Sequence, residues 1–205
     1  LPAPRAAKAA GHWSWPGRLP SVPTLTRRAK ATDFRWVLRK VLRRLRELLS
    51  LAPTAHVVMD ATFLLTGAHS RDRQSRWTCH GGKWFRGYAL HGVCDLHGVL
   101  WARHVTSANV QEMKVARRLV RQLAAVAKGT VKLMIGDKGH DSEPLHQLVR
   151  RRLNVPLLAP LNLRGGKTEH WRQRQPGRAA ADRLLHTPQG RRWSRERSEI
   201  ERWNS

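Results

Sequence analysis

The chain of 205 residues is poor in cysteine, in long apolar runs and in acidic residues. It has only two cysteines, Cys79 and Cys94, which are too few for a disulfide framework and favour a reducing compartment. No apolar stretch reaches the ~18 residues that a transmembrane helix needs. The first residues also lack the apolar run of a secretory signal. We therefore expect a cytoplasmic protein without a membrane partner.

The shortage of acidic residues leaves a strong positive charge. Asp and Glu number 14 against 39 Lys and Arg, so the formal net charge is +25. A charge of this size makes a polyanion the expected partner, and nucleic acid is the commonest polyanion. A membrane surface is the weaker alternative, because the basic residues are spread along the chain and not gathered beside one apolar anchor.

The sequence divides near residue 52. Residues 1–32 are rich in Pro, Ala, Gly and Arg without periodicity, and residues 33–50 repeat apolar side chains at helical spacing with arginines on the other side. We predict that residues 1–52 form a basic N-terminal arm followed by an amphipathic helix. We predict one further domain over residues 53–205.

Strand and helix patterns alternate in this second part. Short β-branched apolar runs predict buried strands, and amphipathic periods predict helices. The predicted elements are a strand over 56–65, a hairpin over 84–106 with its turn near 95–98, a helix over 109–128, a strand over 131–137, a helix over 142–153, a strand over 155–162, a long basic loop over 164–190 and a terminal helix after it. This order predicts a mixed α/β fold with partly parallel strands.

Two aspartates lie in apolar segments, where burying a charge costs free energy. Asp60 falls inside an apolar strand and Asp137 at the end of another. A buried carboxylate needs a cation or dense hydrogen bonding, and two on neighbouring strands favour a divalent metal, Mg²⁺ or Mn²⁺. The alternative is that each aspartate caps a strand end or pairs with an arginine. Three glutamates on the terminal helix offer a third ligand: Glu196, Glu199 and Glu201. By pattern alone, Glu201 and Arg197 form a surface ion pair.

Four segments in order carry a family resemblance: VVMDATFLL, TSANVQE, GDKGHDS and the R-x-x-x-E from Arg197 to Glu201. Together they resemble the DDE transposases of bacterial insertion sequences, over roughly residues 55–205. The resemblance implies an RNase H-like mixed sheet flanked by helices. It also implies a catalytic triad of Asp60, Asp137 and Glu201 that holds two Mg²⁺ or Mn²⁺ ions.

The same resemblance implies Mg²⁺-dependent strand cleavage and strand transfer on double-stranded DNA, at element ends and at a target. It implies a homo-oligomer in a synaptic complex and a bacterial, nucleoid-associated protein. A set of residues near the triad or in the basic loop is expected to contact DNA: Arg197, Lys138, Arg164, Lys167 and Trp203.

The chain departs from the family pattern in three places. Ser194 stands where the signature around Arg197 and Glu201 has Tyr, and the signature's Lys would fall beyond residue 205. Glu112, after TSANV, stands where relatives often have Asp. Because the chain stops four residues after Glu201, a truncated and inactive copy is one expectation.

Other functions stay open at this point. An RNase H-like nuclease would cut without joining, and a non-catalytic basic nucleic-acid-binding protein would need no aligned carboxylates. A zinc site built from Cys79, His80, His91, Cys94 and His97 is disfavoured, because the spacing matches no standard closed pattern.

Overall fold

The computed structural model describes residues 40, 41, 44, 54–67, 71–127, 129–162 and 175–203, with side chains described as far as residue 198. The chain divides into two compact units, residues 1–51 and 52–205. In the first unit the three described residues, Lys40, Val41 and Arg44, are helical. The rest of the arm and helix predicted for residues 1–52 lies outside the described residues.

The described part of the second unit contains six strands and four helices. The strands are β1 (His56–Thr66), β2 (Arg76–His80), β3 (Lys83–Asp95), β4 (Leu100–Ser107), β5 (Leu133–Gly136) and β6 (Leu157–Leu158). The helices are α1 (Glu112–Ala127), α2 (Glu143–Leu153), α3 (Pro176–Leu185) and α4 (Pro188–Trp203), and a 3₁₀ turn covers Lys138–His140.

All six strands join one mixed sheet in the order β2-β3-β1-β5-β6, with β4 also paired to β3. β1 lies between an antiparallel neighbour, β3, and a parallel neighbour, β5. β1 and β5 are suited to these central positions because they are apolar and β-branched, and all four residues of β5 are buried. The parallel order β1, β5, β6 is produced by the helices α1 and α2, which connect these strands along the chain.

The two faces of the sheet bury different cores, because neighbouring residues of a strand point to opposite sides. We call one the α1–α2 face, where Val57 and Met59 of β1 pack with α1 and α2. We call the other the α3–α4 face, where Val58, Leu133, Ile135 and Leu158 are covered by partly buried side chains that include Leu184, Leu185 and Trp193.

The turn between β3 and β4 is organised by Asp95. Its Oδ1 accepts the backbone N–H groups of His97 and Val99, and its Oδ2 accepts the indole N–H of Trp101 at 2.9 Å. Gly98 has a φ of 77°, a conformation that favours glycine. The buried Asp95 is therefore a structural carboxylate, and the turn predicted near 95–98 is confirmed.

Several boundaries differ from the sequence-based expectation. The helix predicted from residue 109 begins at Glu112, because residues 108–110 form a turn closed by the Val110 N–H on the Ser107 carbonyl. β2 was not predicted, since its mostly exposed residues show no apolar alternation. The predicted basic loop over 164–190 is wrong over Pro176–Leu185, which forms α3 through small buried residues, Ala179 and Ala181.

The predicted fold class is confirmed: a curled mixed sheet of six strands with four helices, consistent with the RNase H-like fold. None of the helices in the described part of the chain combines the length and apolar character needed to cross a membrane.

Candidate active site

The two strand aspartates lie side by side at one end of the sheet. In the parallel register of β1 and β5, Met59 lies opposite Gly136, so Asp60 and Asp137 are the next residues of two neighbouring strands. Neighbouring strands are ~4.8 Å apart. Asp60 is half-buried and lines a depression of about 240 Å³ with Thr62 and Cys94. The register of β1 and β5 thus makes Asp60 and Asp137 neighbours on adjacent strands, although they are 77 residues apart in the chain.

Asp137 is held by the turn that follows β5. Its Oδ1 accepts the backbone N–H of His140 at 3.1 Å and the ring Nδ1–H of the same residue at 2.5 Å. A Cβ on Gly139 would lie only 3.0 Å from this Oδ1, so glycine makes room for the carboxylate there. The other oxygen, Oδ2, accepts no hydrogen bond from the described residues. Asp137 therefore keeps one oxygen available.

The pKa of Asp137 is lowered from its ordinary value. Partial burial acts to raise this pKa, but the hydrogen bond and charge of His140, together with the charge of Arg197, outweigh it. Since the carboxyl is ionised, it can only accept, and His140 must carry its proton on Nδ1. The ring of His140 is buried, and Gly136 leaves the space for it.

Glu112 lies beside this pair, at the first turn of α1. Its side chain is 31% exposed, and its Oε2 lies 4.0 Å from Nε2 of His140. Burial raises the pKa of Glu112, and the charges of Asp137 and Asp60 raise it further, against an opposing effect of His140. One ligand atom each from Glu112, Asp137 and His140 lies within 4.8 Å of the others. These three residues can hold a metal ion.

Glu112 and Asp137 line a cleft of about 650 Å³, whereas Asp60 lines the separate depression beside Cys94. Glu112, Asp137 and Lys138 line one part of the cleft, and Phe63 and His80 line another. Lys138 is exposed and follows Asp137 directly. The cleft therefore combines carboxylates for a cation with a basic side chain suited to a phosphate.

Helix α4 crosses the α3–α4 face toward this end of the sheet. In its first half and middle, Trp193 packs edge-on against His56, and an oxygen of Glu196 is 2.7 Å from Nδ1 of His56, at the beginning of β1. Arg197 comes next and lowers the pKa of Asp137, beyond the end of β5. The helix continues through Trp203, so Glu201 lies one turn after Arg197. The side chains of Glu201 and Trp203 lie outside the described residues.

The structure describes the side chains of only some of the residues predicted from the sequence to contact DNA. Arg197 is half-buried near Asp137, and Lys138 is exposed at the cleft. Arg164 and Lys167 lie outside the described residues. Glu196, one of three glutamates considered as a ligand, instead pairs with His56.

The cysteines and histidines considered for zinc lie on different parts of the sheet. Cys79 and His80 line the cleft, whereas Cys94 lines the depression beside Asp60. Burial, with the charges of Asp95 and Asp60, raises the pKa of the Cys94 thiol to about 11. A thiol that stays protonated is a poor metal ligand.

Sequence reasoning missed a second charged cluster behind the site. The buried Asp141 carboxylate accepts hydrogen bonds from Nε and Nη2 of Arg178 and from the backbone N–H of Asn162. It also accepts one from Nε2 of His146. Glu143 accepts the N–H groups of Gly177 and Arg178 at the start of α3. The only sequence signal for this network was the polar run GDKGHDS after an apolar strand. The same run held the sole signal for His140.

Fold and site together define an α/β protein of RNase H-like architecture, with one aspartate within a central strand and a second directly after its neighbouring strand. The model of the family described as "Transposase DDE domain" matches residues 52–205. The chain therefore belongs to the DDE transposase family. No curated protein matches the chain.

Proposed function

We propose that this chain is a transposase that cleaves DNA strands and joins them to a target with divalent cations, Mg²⁺ or Mn²⁺, two per site. The observation that carries the proposal is the pairing of Asp60 and Asp137 on adjacent parallel strands in a chain of net charge +25. Carboxylates on neighbouring strands repel each other, and a divalent cation relieves that repulsion. Membership of the transposase family supports the same conclusion.

The residues available fit such cations. Asp60, Asp137 and Glu201 would hold them, because carboxylate oxygens are the preferred ligands of Mg²⁺ and Mn²⁺. When bound, the cations activate a water or a DNA 3′-hydroxyl and stabilise the leaving 3′-oxygen. Arg197 and His140 keep Asp137 ionised, since both lower its pKa.

The basic residues near the cleft would hold the DNA backbone. Lys138 is exposed beside Asp137, and we assign it to a phosphate contact. Arg197, Arg164, Lys167 and Trp203 complete the proposed DNA-contacting set. Binding through such contacts falls steeply with added salt. The partner would be double-stranded DNA bound by a homo-oligomer that pairs two element ends, in a bacterial cytoplasm at the nucleoid.

Asp60→Asn and Asp137→Asn test the assignment. Each keeps the shape of the side chain and removes the charge, so we expect cation-dependent cleavage of an element-end duplex to fall to background while DNA binding is retained. Asp72→Asn is the matched control, because Asp72 is an exposed aspartate whose carboxylate bonds Tyr88 and Gln74 outside the cleft. Cleavage is measured on labelled duplexes with Mg²⁺ or Mn²⁺, and binding by gel shift.

Three results would count against the proposal. Full cleavage by Asp60→Asn or Asp137→Asn would remove these residues from the active site. Cleavage without any joined product would indicate an RNase H-like nuclease. Binding that is independent of cations, with no cleavage by the unmodified chain, would indicate a non-catalytic nucleic-acid-binding protein.

A further inference from the structure

We propose that Glu112 is a further cation ligand, acting together with Asp137 on the α1–α2 side of the site. The inference rests on the proposed function and adds a carboxylate to the three proposed above. It starts from the surroundings of Glu112: its side chain is only 31% exposed, and its carboxylate accepts no hydrogen bond from the described residues. Half-buried carboxylates are ordinarily hydrogen-bonded or paired with a cation.

The contact with His140 does not satisfy this carboxylate. Oε2 of Glu112 lies 4.0 Å from Nε2 of His140, which is beyond hydrogen-bond distance. His140 is already engaged, because its Nδ1–H and its backbone N–H both bind Oδ1 of Asp137. The ring is buried and fixed in this position. Glu112 therefore faces His140 and Asp137 across a gap.

The gap has the dimensions of a small divalent ion. Oxygen ligands lie about 2.1 Å from Mg²⁺, so two ligands of one ion are at most about 4.2 Å apart. The ligand atoms of Glu112, Asp137 and His140 already lie within 4.8 Å of one another. Glu112 is exposed enough to make the small rotation that remains. The Oδ2 of Asp137 accepts no hydrogen bond from the described residues, so it can serve this side of the site.

The surrounding structure supports ligation and not a simple ion pair. Metal-bound carboxylates are commonly oriented by a hydrogen bond to their second oxygen, and His140 gives Asp137 that bond. Glu112 and Asp137 both line the cleft of about 650 Å³, so an ion there is reachable from solvent and from DNA. Glu112 is fixed at the start of α1, whose buried face anchors it to the main core. His140 is thus a positioning residue for Asp137.

Binding of Mn²⁺ to the 205-residue protein without DNA tests this role. Paramagnetic broadening of the Met113 and Gly139 amide resonances, followed through a Mn²⁺ titration, reports the Mn²⁺ affinity on this side of the site. We expect Glu112→Gln and Asp137→Asn each to weaken this Mn²⁺ affinity at least about tenfold. Glu112→Asp, which keeps the charge, should restore part of the affinity. Glu196→Gln is the matched control, because Glu196 has similar exposure (19%) but pairs with His56.

The unfolding midpoint of the metal-free protein is a second, independent measurement of the role of Glu112. Glu112→Gln should leave this midpoint unchanged or raise it, because it removes a charge that faces another carboxylate. A lower midpoint with unchanged Mn²⁺ broadening would mean that Glu112 only pairs with His140, and would overturn the inference. If Glu112→Gln does not fold, Glu112→Ala gives the same comparison, since Ala favours the helix.

The outcomes separate this inference from the proposed function. Loss of affinity in Asp137→Asn with full affinity in Glu112→Gln would overturn the role of Glu112 and leave the Asp60–Asp137 site intact. Unchanged affinity in both variants, or no saturable broadening in the unmodified chain, would overturn the cation site as a whole. Loss of affinity in both, with the control unchanged, supports the two proposals together.

Discussion

The two faces of the sheet are built in different ways. On the α1–α2 face, 20 buried residues form one apolar cluster that includes Val57 and Met59 of β1. On the α3–α4 face, the described buried cluster has four residues, and the helices cover it with partly buried side chains. Because apolar burial provides most of the favourable free energy of folding, the first face supplies most of the stability of this domain.

The α3–α4 face relies more on polar contacts. The start of α3 is held by Asp141 and Glu143, which accept hydrogen bonds from Arg178 and Gly177. The middle of α4 is held by the Glu196 contact with His56. The difference teaches that the firmly packed face fixes Glu112, at the start of α1. The helix that carries Glu201 is attached by fewer apolar contacts and by groups that respond to pH and salt.

The largest expected difference between the faces comes from equal deletions in the two cores. Leu119→Ala, in the packed α1–α2 face, should lower the free energy of unfolding by about 3 kcal/mol, because Leu119 is 1% exposed and leaves a cavity. Leu184→Ala, on the partly buried α3–α4 face, should cost about 1 kcal/mol. Urea denaturation monitored by far-ultraviolet circular dichroism measures both. Equal costs would contradict the comparison.

A smaller loss of stability is expected at low pH, where protonation of Asp141 weakens its contacts with the start of α3. Burial alone would raise the pKa of Asp141, but hydrogen bonds from His146 and Arg178 outweigh it and lower the pKa to about 2. A lowered folded pKa stabilises the fold above the ordinary pKa near 3.8, and that stabilisation is lost as the pH falls toward 2. The cluster therefore contributes about 2 kcal/mol at neutral pH.

Asp141→Asn isolates this contribution. The difference in unfolding free energy between the unmodified chain and Asp141→Asn should narrow by about 2 kcal/mol between about pH 5 and about pH 2. Denaturant titrations across that range measure it, and the other carboxylates cancel in the difference. A difference that does not change with pH would show that Asp141 does not hold α3 by its charge.

The smallest effect is expected in the middle of α4. Glu196→Gln removes the charge that faces His56, and both side chains are about one fifth exposed, at 19% and 20%. Such pairs contribute little, so we expect a loss of about 0.5 kcal/mol that shrinks further at high salt. The same denaturation assay measures it at two ionic strengths. A loss larger than that of Leu184→Ala would show that this contact, and not apolar burial, holds α4.

Much of the fold was predictable because its signals are local. The apolar runs around Val58 and Ile135 predicted the central strands, and the polar turn after Asp95 predicted the hairpin. β2 was missed because an exposed strand carries no apolar alternation. α3 was missed because its buried residues are mainly alanines in a basic segment, where periodicity is weak.

The candidate site was predictable only in part. Asp60 and Asp137 were found because a charge inside an apolar strand is conspicuous. Glu112 gave no such signal, since a glutamate in the first turn of a helix is ordinary. His140 was equally inconspicuous, because nothing in GDKGH indicates that its ring returns to the aspartate three residues earlier.

The sequence by itself determined the central strands, the aspartate inside one and the aspartate after the other, the basic surroundings and the family that these motifs indicate. Each of these depends on residues close together in the chain. The tertiary structure alone decided that the parallel register sets Asp60 beside Asp137 and that the start of α1 brings Glu112 to the same end. Those juxtapositions join residues 25 to 77 positions apart. They depend on how β1, β5 and α1 pack around one core, which local sequence patterns do not encode.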